Sequence, residues 1–148
     1  ELIVGAPVDD PVGDAIETIK LAQRVGAGMF VAAFPLMLYP GTALQKKCLE
    51  QNIPIRDDCT YECYGGVGSI RFDPDIQKKI TNISKLAVFF VKYNVEERWM
   101  RSLIEMDLND TAARRIAEST YYESLRFKLG DQVDEEFDQI LANTKFRY

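Results

Sequence analysis

Three groups of residues in this 148-residue sequence have types and spacings that could do chemistry. Cys59-Thr60-Tyr61-Glu62-Cys63 places two thiols four positions apart, and Cys48 adds a third. Thiols at this spacing read as structural or incidental and not as a metal site. Gly5-Ala6-Pro7 follows one apolar run, and Pro35 through Thr42, which contains Tyr39-Pro40-Gly41-Thr42, follows another. Loops in those positions carry ligand sites in parallel α/β proteins, because the helix N-termini that follow offer unpaired N–H groups.

Other chemistries are removed by composition. There is no histidine, so this stretch supplies no Ser-His or Cys-His pair, no histidine base and no histidine metal ligand. Three cysteines make an odd count and read as reduced thiols, not a disulfide framework. Gly65-Gly66-Val67-Gly68 lacks the lysine and Ser/Thr of a phosphate loop, and a dinucleotide fingerprint from Gly5 would need glycines where Pro7 and Asp10 stand. Glu96, Glu97, Glu105, Asp107, Asp134, Glu135 and Glu136 lie opposite apolar residues at helical spacing and read as solvated faces.

The elements that must position these loops follow from hydrophobic period. Leu2-Ile3-Val4 reads as a strand buried on both faces of a sheet. Val12, Ile16, Ile19 and Ala22 or Gln23 predict a helix over 12–24, with Asp10 as N-cap, Pro11 at its first position and Gly26 or Gly28 as its stop. Met29 to Phe34, bounded by Gly28 and Pro35, is too short for a typical helix and reads as a second buried strand. Strand, helix and strand predict a parallel β-α-β crossover. The outer edges and faces of its two strands need cover that nothing later in the sequence obviously provides.

Thr42 is the expected N-cap of a short helix over 43–51 with Leu44 and Cys48 on one face. Residues 52–74 read as a loop with one hairpin. From Asp75 the period is helical through Ile76, Ile80, Ile83, Ala87 and Phe90. Asn94 and Glu97 predict a capping box, opening a helix with Trp99, Leu103 and Ile104 inward. Further helices are expected from Asp110 through Leu125 and, after Gly130, over Val133 to Leu141.

With 47% apolar and 28% charged residues, the chain has the composition of one globular domain or part of one. The net charge of −5 argues against bulk electrostatic attachment to nucleic acid or to an anionic membrane. No signal-peptide pattern and no apolar run of about 20 residues is present. A cytoplasmic location is expected. The sequence runs from Glu1 directly into an apolar strand, which predicts an interior or C-terminal piece of a larger α/β protein.

Ile3-Val4-Gly5-Ala6-Pro7, then a helix, an apolar strand and Tyr39-Pro40-Gly41-Thr42-Ala43-Leu44 resemble the late strands of the radical S-adenosylmethionine barrel, in particular its cobalamin-associated branch. There a strand ending in Gly-x-Pro-Gly-Glu-Thr is followed, one β-α unit on, by Tyr-Pro-Gly-Thr-x-Leu. The resemblance covers residues 2–53. The helices after it are similar in a general way to the C-terminal extension such enzymes carry. Two departures stand out: Val8-Asp9-Asp10 replaces the family's Gly-Glu-Thr, and the family's Cys-x3-Cys-x2-Cys motif is not reproduced, because its third position after Cys59 and Cys63 falls on Gly66.

The resemblance implies an α/β fold: one parallel β-α-β unit, an incomplete TIM-like barrel fragment, followed by a mainly helical C-terminal region. It divides the chain into barrel strands and helices over 1–53, a loop or hairpin linker over 54–74 and a helical region over 75–148. It implies a parent enzyme with S-adenosylmethionine and a four-iron four-sulfur cluster, and leaves cobalamin open. Ile3, Gly5, Ala6 and Pro7 would face the cofactor, though for Gly5 and Pro7 a plain strand-ending turn is equally open. Tyr39, Pro40, Gly41 and Thr42 would form a substrate-side loop, or an ordinary turn and helix cap. No catalytic or metal-ligating residue is assigned within the chain, which is expected to be inactive alone and to bind no cofactor by itself. The expected partner is the upstream part of its own polypeptide, with a homodimer through exposed strand edges as the other route and neither nucleic acid nor membrane. The rival expectation is a non-catalytic helical interaction module that completes a sheet by association.

Overall fold

The computed structural model describes residues 1–25, 33–56, 67–108, 111–112 and 115–116. Among them the chain forms β1 (Leu2–Val4), α1 (Pro11–Val25), β2 (Ala33–Pro35), α2 (Ala43–Glu50), α3 (Pro74–Lys92) and α4 (Glu97–Glu105). The fold is mixed α/β with helix dominant, with four named helices and a two-stranded parallel sheet among the described residues. Leu2 pairs with Ala33, Ile3 with Phe34 and Val4 with Pro35.

The caps explain where α1 and α2 begin. Asp10 accepts the Gly13 N–H on Oδ1 at 2.8 Å, and Pro11 occupies the first helical position, where a missing N–H costs nothing. Thr42 accepts the Gln45 N–H at 3.3 Å, while Gln45 Oε1 reaches back to the Gly41 N–H at 2.8 Å. The Gln45 N–H, a donor that the helix start leaves orphaned, is thereby satisfied, and the turn residue before the cap is tied to the first helical turn.

Alternation along the strands then decides the two faces of the sheet. Leu2, Val4 and Ala33 turn toward α1 and α3, joining a core of Ala15, Ile16, Ile19, Ile80, Ile83, Leu86, Ala87 and Phe90. Each large side chain buried there is worth about 1.5–3 kcal/mol against exposure. Ile3 and Phe34, one residue out of phase, turn to the opposite face, where Ile3 is 60% exposed. α4 closes the far side of α3 through Met100 and Ile104. There Asn82, buried on α3, donates to the Ile104 and Met106 carbonyls at 2.9 and 3.0 Å.

Several expectations are corrected. The second strand contains Pro35 where Pro35 was expected to bound it, because the proline lies at a sheet edge and needs no N–H; residues 29–32 of the expected strand lie outside the described residues. Later residues do cover part of the sheet. α3 lies over one face, and Ser69 N–H donates to the Leu36 carbonyl at 2.8 Å beside β2. Asn94 does not open α4. It sits at φ 47°, in the left-handed conformation that asparagine tolerates, just after α3, and Glu96 holds the N-cap position. Trp99 is 55% exposed, since α4 packs through the i, i+4 pair Met100 and Ile104 instead. On α2, Cys48 is buried but Leu44 is exposed. Ile55 and Ile70 form an antiparallel bridge within the segment expected to hold one hairpin, and residues 57–66 between them lie outside the described residues. Of the helix expected from Asp110 through Leu125, residues 111–112 and 115–116 are described and helical; the rest of it and the helix expected over Val133 to Leu141 lie outside the described residues.

Candidate functional site at the open face of the sheet

The parallel pair exposes one face, and that face carries a cleft. It measures about 530 Å³ and is lined by Glu1, Ile3, Phe34, Pro35, Leu36, Met37 and Tyr39. Register builds it: Ile3 lies beside Phe34, and the chain leaving β2 carries Leu36, Met37 and Tyr39 along the C-terminal ends of the strands. The wall is apolar and aromatic, with the Glu1 carboxylate the charged side chain among the lining residues. The apolar and aromatic side chains share this concavity with polar surface, a mixture that suits an organic ligand better than a bare ion.

The loop beyond β2 is held by main-chain and hydroxyl bonds. Leu36 N–H donates to the Val4 carbonyl at 2.8 Å, extending the ladder one residue past β2. Leu38 N–H donates to the hydroxyl of buried Ser69 at 2.9 Å. Tyr39 to Thr42 form a β-turn with Gly41 at φ 81°; both the N–H and the hydroxyl of Thr42 reach the Tyr39 carbonyl, at 3.2 and 2.8 Å.

Of the residues singled out from sequence, the structure brings Ile3 and Tyr39 to this cleft. Gly5 lies elsewhere. It has φ 78°, and a Cβ added there would stand 3.2 Å from Ile80 Cγ2, so the turn after β1 folds under α3 and not toward the cleft. Ala6 and Pro7 are half-buried and are not cleft residues; Pro40, Gly41 and Thr42 form the exposed turn and cap. Leu36 and Met37 fall within the segment from Pro35 through Thr42 that the sequence pointed to, without being singled out there; Phe34 was missed, and its pairing with Ile3 would have found it once the register was fixed.

The cysteines separate in the same way. Cys48 is buried against Leu38 and Ile70, so its thiol serves as a small core side chain. Cys59, Cys63, Gly65 and Gly66 lie outside the described residues. Among the described residues no group of three or more His, Cys, Asp or Glu side chains is placed to hold a metal ion. No helix described is long and apolar enough to cross a membrane.

A second cleft, of about 330 Å³, lies among the N-terminal turn of α1, α3 and α4 and includes Lys79, Arg101, Asp9 and Glu105. Its cations are already engaged. Lys79 contacts Asp75 at 2.7 Å and Glu105 at 2.9 Å, and Arg101 contacts Glu97 at 2.8 Å. Hydrogen bonds that Lys79 donates to Asp75 first and Glu105 second raise its pKa, and the same lysine lowers that of Asp75. This is a structural ion-pair lattice between helices. The open sheet face is the stronger candidate.

No family model, curated protein or solved structure matches the chain.

Proposed function

We propose that this chain supplies two adjacent strands of the parallel barrel of a radical S-adenosylmethionine enzyme, with the apolar face of Ile3 and Phe34 forming part of its cofactor and substrate pocket. The observation that carries the proposal is the one-sided packing of the sheet. α1 and α3 lie on one face, while the other holds an apolar cleft reaching the C-terminal strand ends. An arc of a barrel has helices outside and ligand-facing side chains inside, at that end.

The fit to each implied group differs. Ile3, Phe34, Leu36 and Tyr39 offer apolar and aromatic surface of the kind that packs on an adenine ring. Bound to a reduced cluster, adenosylmethionine supplies hydrogen-abstraction chemistry. The chain's own part is to pack against the ligand, keep water from that wall and hold the Tyr39 turn at its mouth. The described residues do not fit the cluster itself: Cys48, the cysteine among them, is turned into the core. Nothing described bears on cobalamin, which stays an option of the parent enzyme.

The test is the coding sequence before Glu1 together with its product. A Cys-x3-Cys-x2-Cys motif within the roughly 200 residues a barrel occupies, and adenosylmethionine binding by the anaerobically reconstituted full-length protein that Phe34→Asp weakens, are the expected results. A full-length protein without the motif and without adenosylmethionine binding would sink the reading and leave a non-catalytic module that completes a sheet by association.

A further inference from the structure

One wall of the cleft is built by chain that is leaving the sheet. The ladder to β1 reaches Leu36, whose N–H donates to the Val4 carbonyl at 2.8 Å, and Met37 and Tyr39 lie past it. Ser69 takes over from there. It is 2% exposed and meets three consecutive residues of the segment. Its N–H donates to the Leu36 carbonyl at 2.8 Å, and its hydroxyl oxygen accepts the Leu38 N–H at 2.9 Å. The same hydroxyl lies 4.0 Å from Met37 Sδ, within reach of a weak O–H···S bond. A serine hydroxyl has one donor and two acceptor sites, so this one group serves both neighbours at once.

Ser69 is itself fixed from behind. Its carbonyl accepts the Arg56 N–H at 2.9 Å, and the Arg71 N–H donates to the Pro54 carbonyl at 2.8 Å. Ile70, the next residue, pairs with Ile55 and is buried with Leu38 and Cys48. The anchor thus belongs to a separate antiparallel contact and not to the wall that it holds.

We infer that Ser69 is a positioning residue of the cleft, whose hydroxyl sets residues 36–39 and the Met37 side chain in the arrangement that receives a ligand. Ser69 does not itself line the cleft. Its N–H would attach the segment whatever side chain stood at this position. The hydroxyl adds what attachment alone does not need, because both of its contacts fall between Leu36 and Tyr39. Methionine is unbranched and adapts its shape readily, so a Met37 without this contact would have to be ordered by the ligand, at a cost in affinity. The buried Leu38 N–H would also lose its acceptor, and the wall would shift to find another. The assignment rests on the reading of this cleft as a ligand site but requires no cluster.

Ser69→Thr and Ser69→Val test it in the anaerobically reconstituted full-length gene product, because the two side chains share one shape and differ in the hydroxyl. Adenosylmethionine is the first probe. Ser69→Thr should bind it within about threefold of the parent, and Ser69→Val and Ser69→Ala about tenfold or more weakly. Equal affinity in the parent, Ser69→Val and Ser69→Ala, with only the urea midpoint lowered, would make Ser69 a plain structural residue and overturn the inference. So would a Ser69→Thr protein that binds as weakly as Ser69→Val. If the added methyl unfolds both, Ser69→Ala against the parent decides by the same criterion. A parent that binds no adenosylmethionine sinks the proposed enzyme and passes the test to the neutral dye Nile red, with Phe34→Asp marking the signal that belongs to the cleft. The same order of affinities retains the role of Ser69. Dye binding that ignores the Ser69 hydroxyl, or no binding that depends on Phe34, overturns it.

Discussion

The side-chain amide of Gln23 on α1 donates to the carbonyls of both Phe90 and Val95, at 2.9 and 3.0 Å, and so ties α1 to the chain where α3 ends. Phe90 also accepts the Val95 N–H at 3.0 Å, so one glutamine spans a closed turn that its own helix does not touch through the backbone. The helix that connects the two strands is thereby registered against the helix that covers them.

Gln23→Ala should lower stability by about 1–2 kcal/mol, because the Val95 carbonyl loses its side-chain donor at a half-buried position. Gln23→Glu should cost more at neutral pH, where a carboxylate would face two carbonyl oxygens. Its pKa would be raised in the folded state, so the deficit relative to Gln23→Ala should shrink as pH falls and the carboxyl regains a donor. Urea midpoints at neutral and acid pH measure both effects; a Gln23→Glu protein as stable as the parent at neutral pH would contradict them.

Gly68→Ala should destabilise by about 1–3 kcal/mol through overpacking. The added Cβ would meet the Leu36 carbonyl oxygen at 2.9 Å and Pro35 Cβ at 3.1 Å, and neither a strand carbonyl nor a proline ring can swing aside. Because the clash lies where Ser69 N–H bonds to the Leu36 carbonyl beside β2, the variant should also speed exchange at the Ser69 amide. Unchanged stability and unchanged Ser69 exchange would mean that this close approach does not hold the segment against β2.

These two positions show what the sequence could reveal. The β-α-β order was legible, because Leu2-Ile3-Val4, the Asp10-Pro11 start and the Ile16/Ile19 stripe each act within a few residues. Gln23 was one of two choices for an inward position, and only the distant Phe90 and Val95 carbonyls decide it. Gly68 read as one glycine of a flexible run, since its close approach is to residues more than thirty positions away. Asn94 was ambiguous for a local reason: asparagine suits both an N-cap and the left-handed turn after a helix. The cleft residue Phe34 was hidden until its pairing with Ile3 fixed which side it faces.

The charged lattice between helices predicts an acid limb of stability. Hydrogen bonds from Lys20 first and Arg101 second lower the Glu97 pKa, and Lys79 lowers that of Asp75. Folded-state values below the unfolded ones mean that these carboxylates contribute fully above their unfolded pKa and lose the contribution as pH falls through the folded one. Glu97→Gln should therefore flatten stability against pH below the ordinary glutamate range. Lys20 is raised by Glu17 and then Glu97, so its share is complete below the ordinary lysine range and fades as pH rises through the raised value. All these groups touch solvent, and salt should weaken both limbs. Denaturation midpoints of the parent and Glu97→Gln across the acid range decide it; parallel curves would remove the lattice as the cause.

Cys48 and Trp99 report on different parts of the molecule. Cys48 is buried in a small cluster with Leu38 and Ile70, whereas α4, which carries Trp99, packs into the main core through Met100 and Ile104. Phe72 packs against both clusters and links them. A three-residue cluster buries far less apolar surface than the main core, so it should open first. With Cys59 and Cys63 replaced by serine, Cys48 should react with a thiol reagent at urea concentrations below the transition seen by fluorescence of Trp99, the single tryptophan. Phe72→Ala should widen the gap between the two transitions by uncoupling the clusters. If thiol labelling and fluorescence change together in the parent and in the variant, the two clusters form one cooperative unit and the segment following β2 is as firmly fixed as the strands themselves.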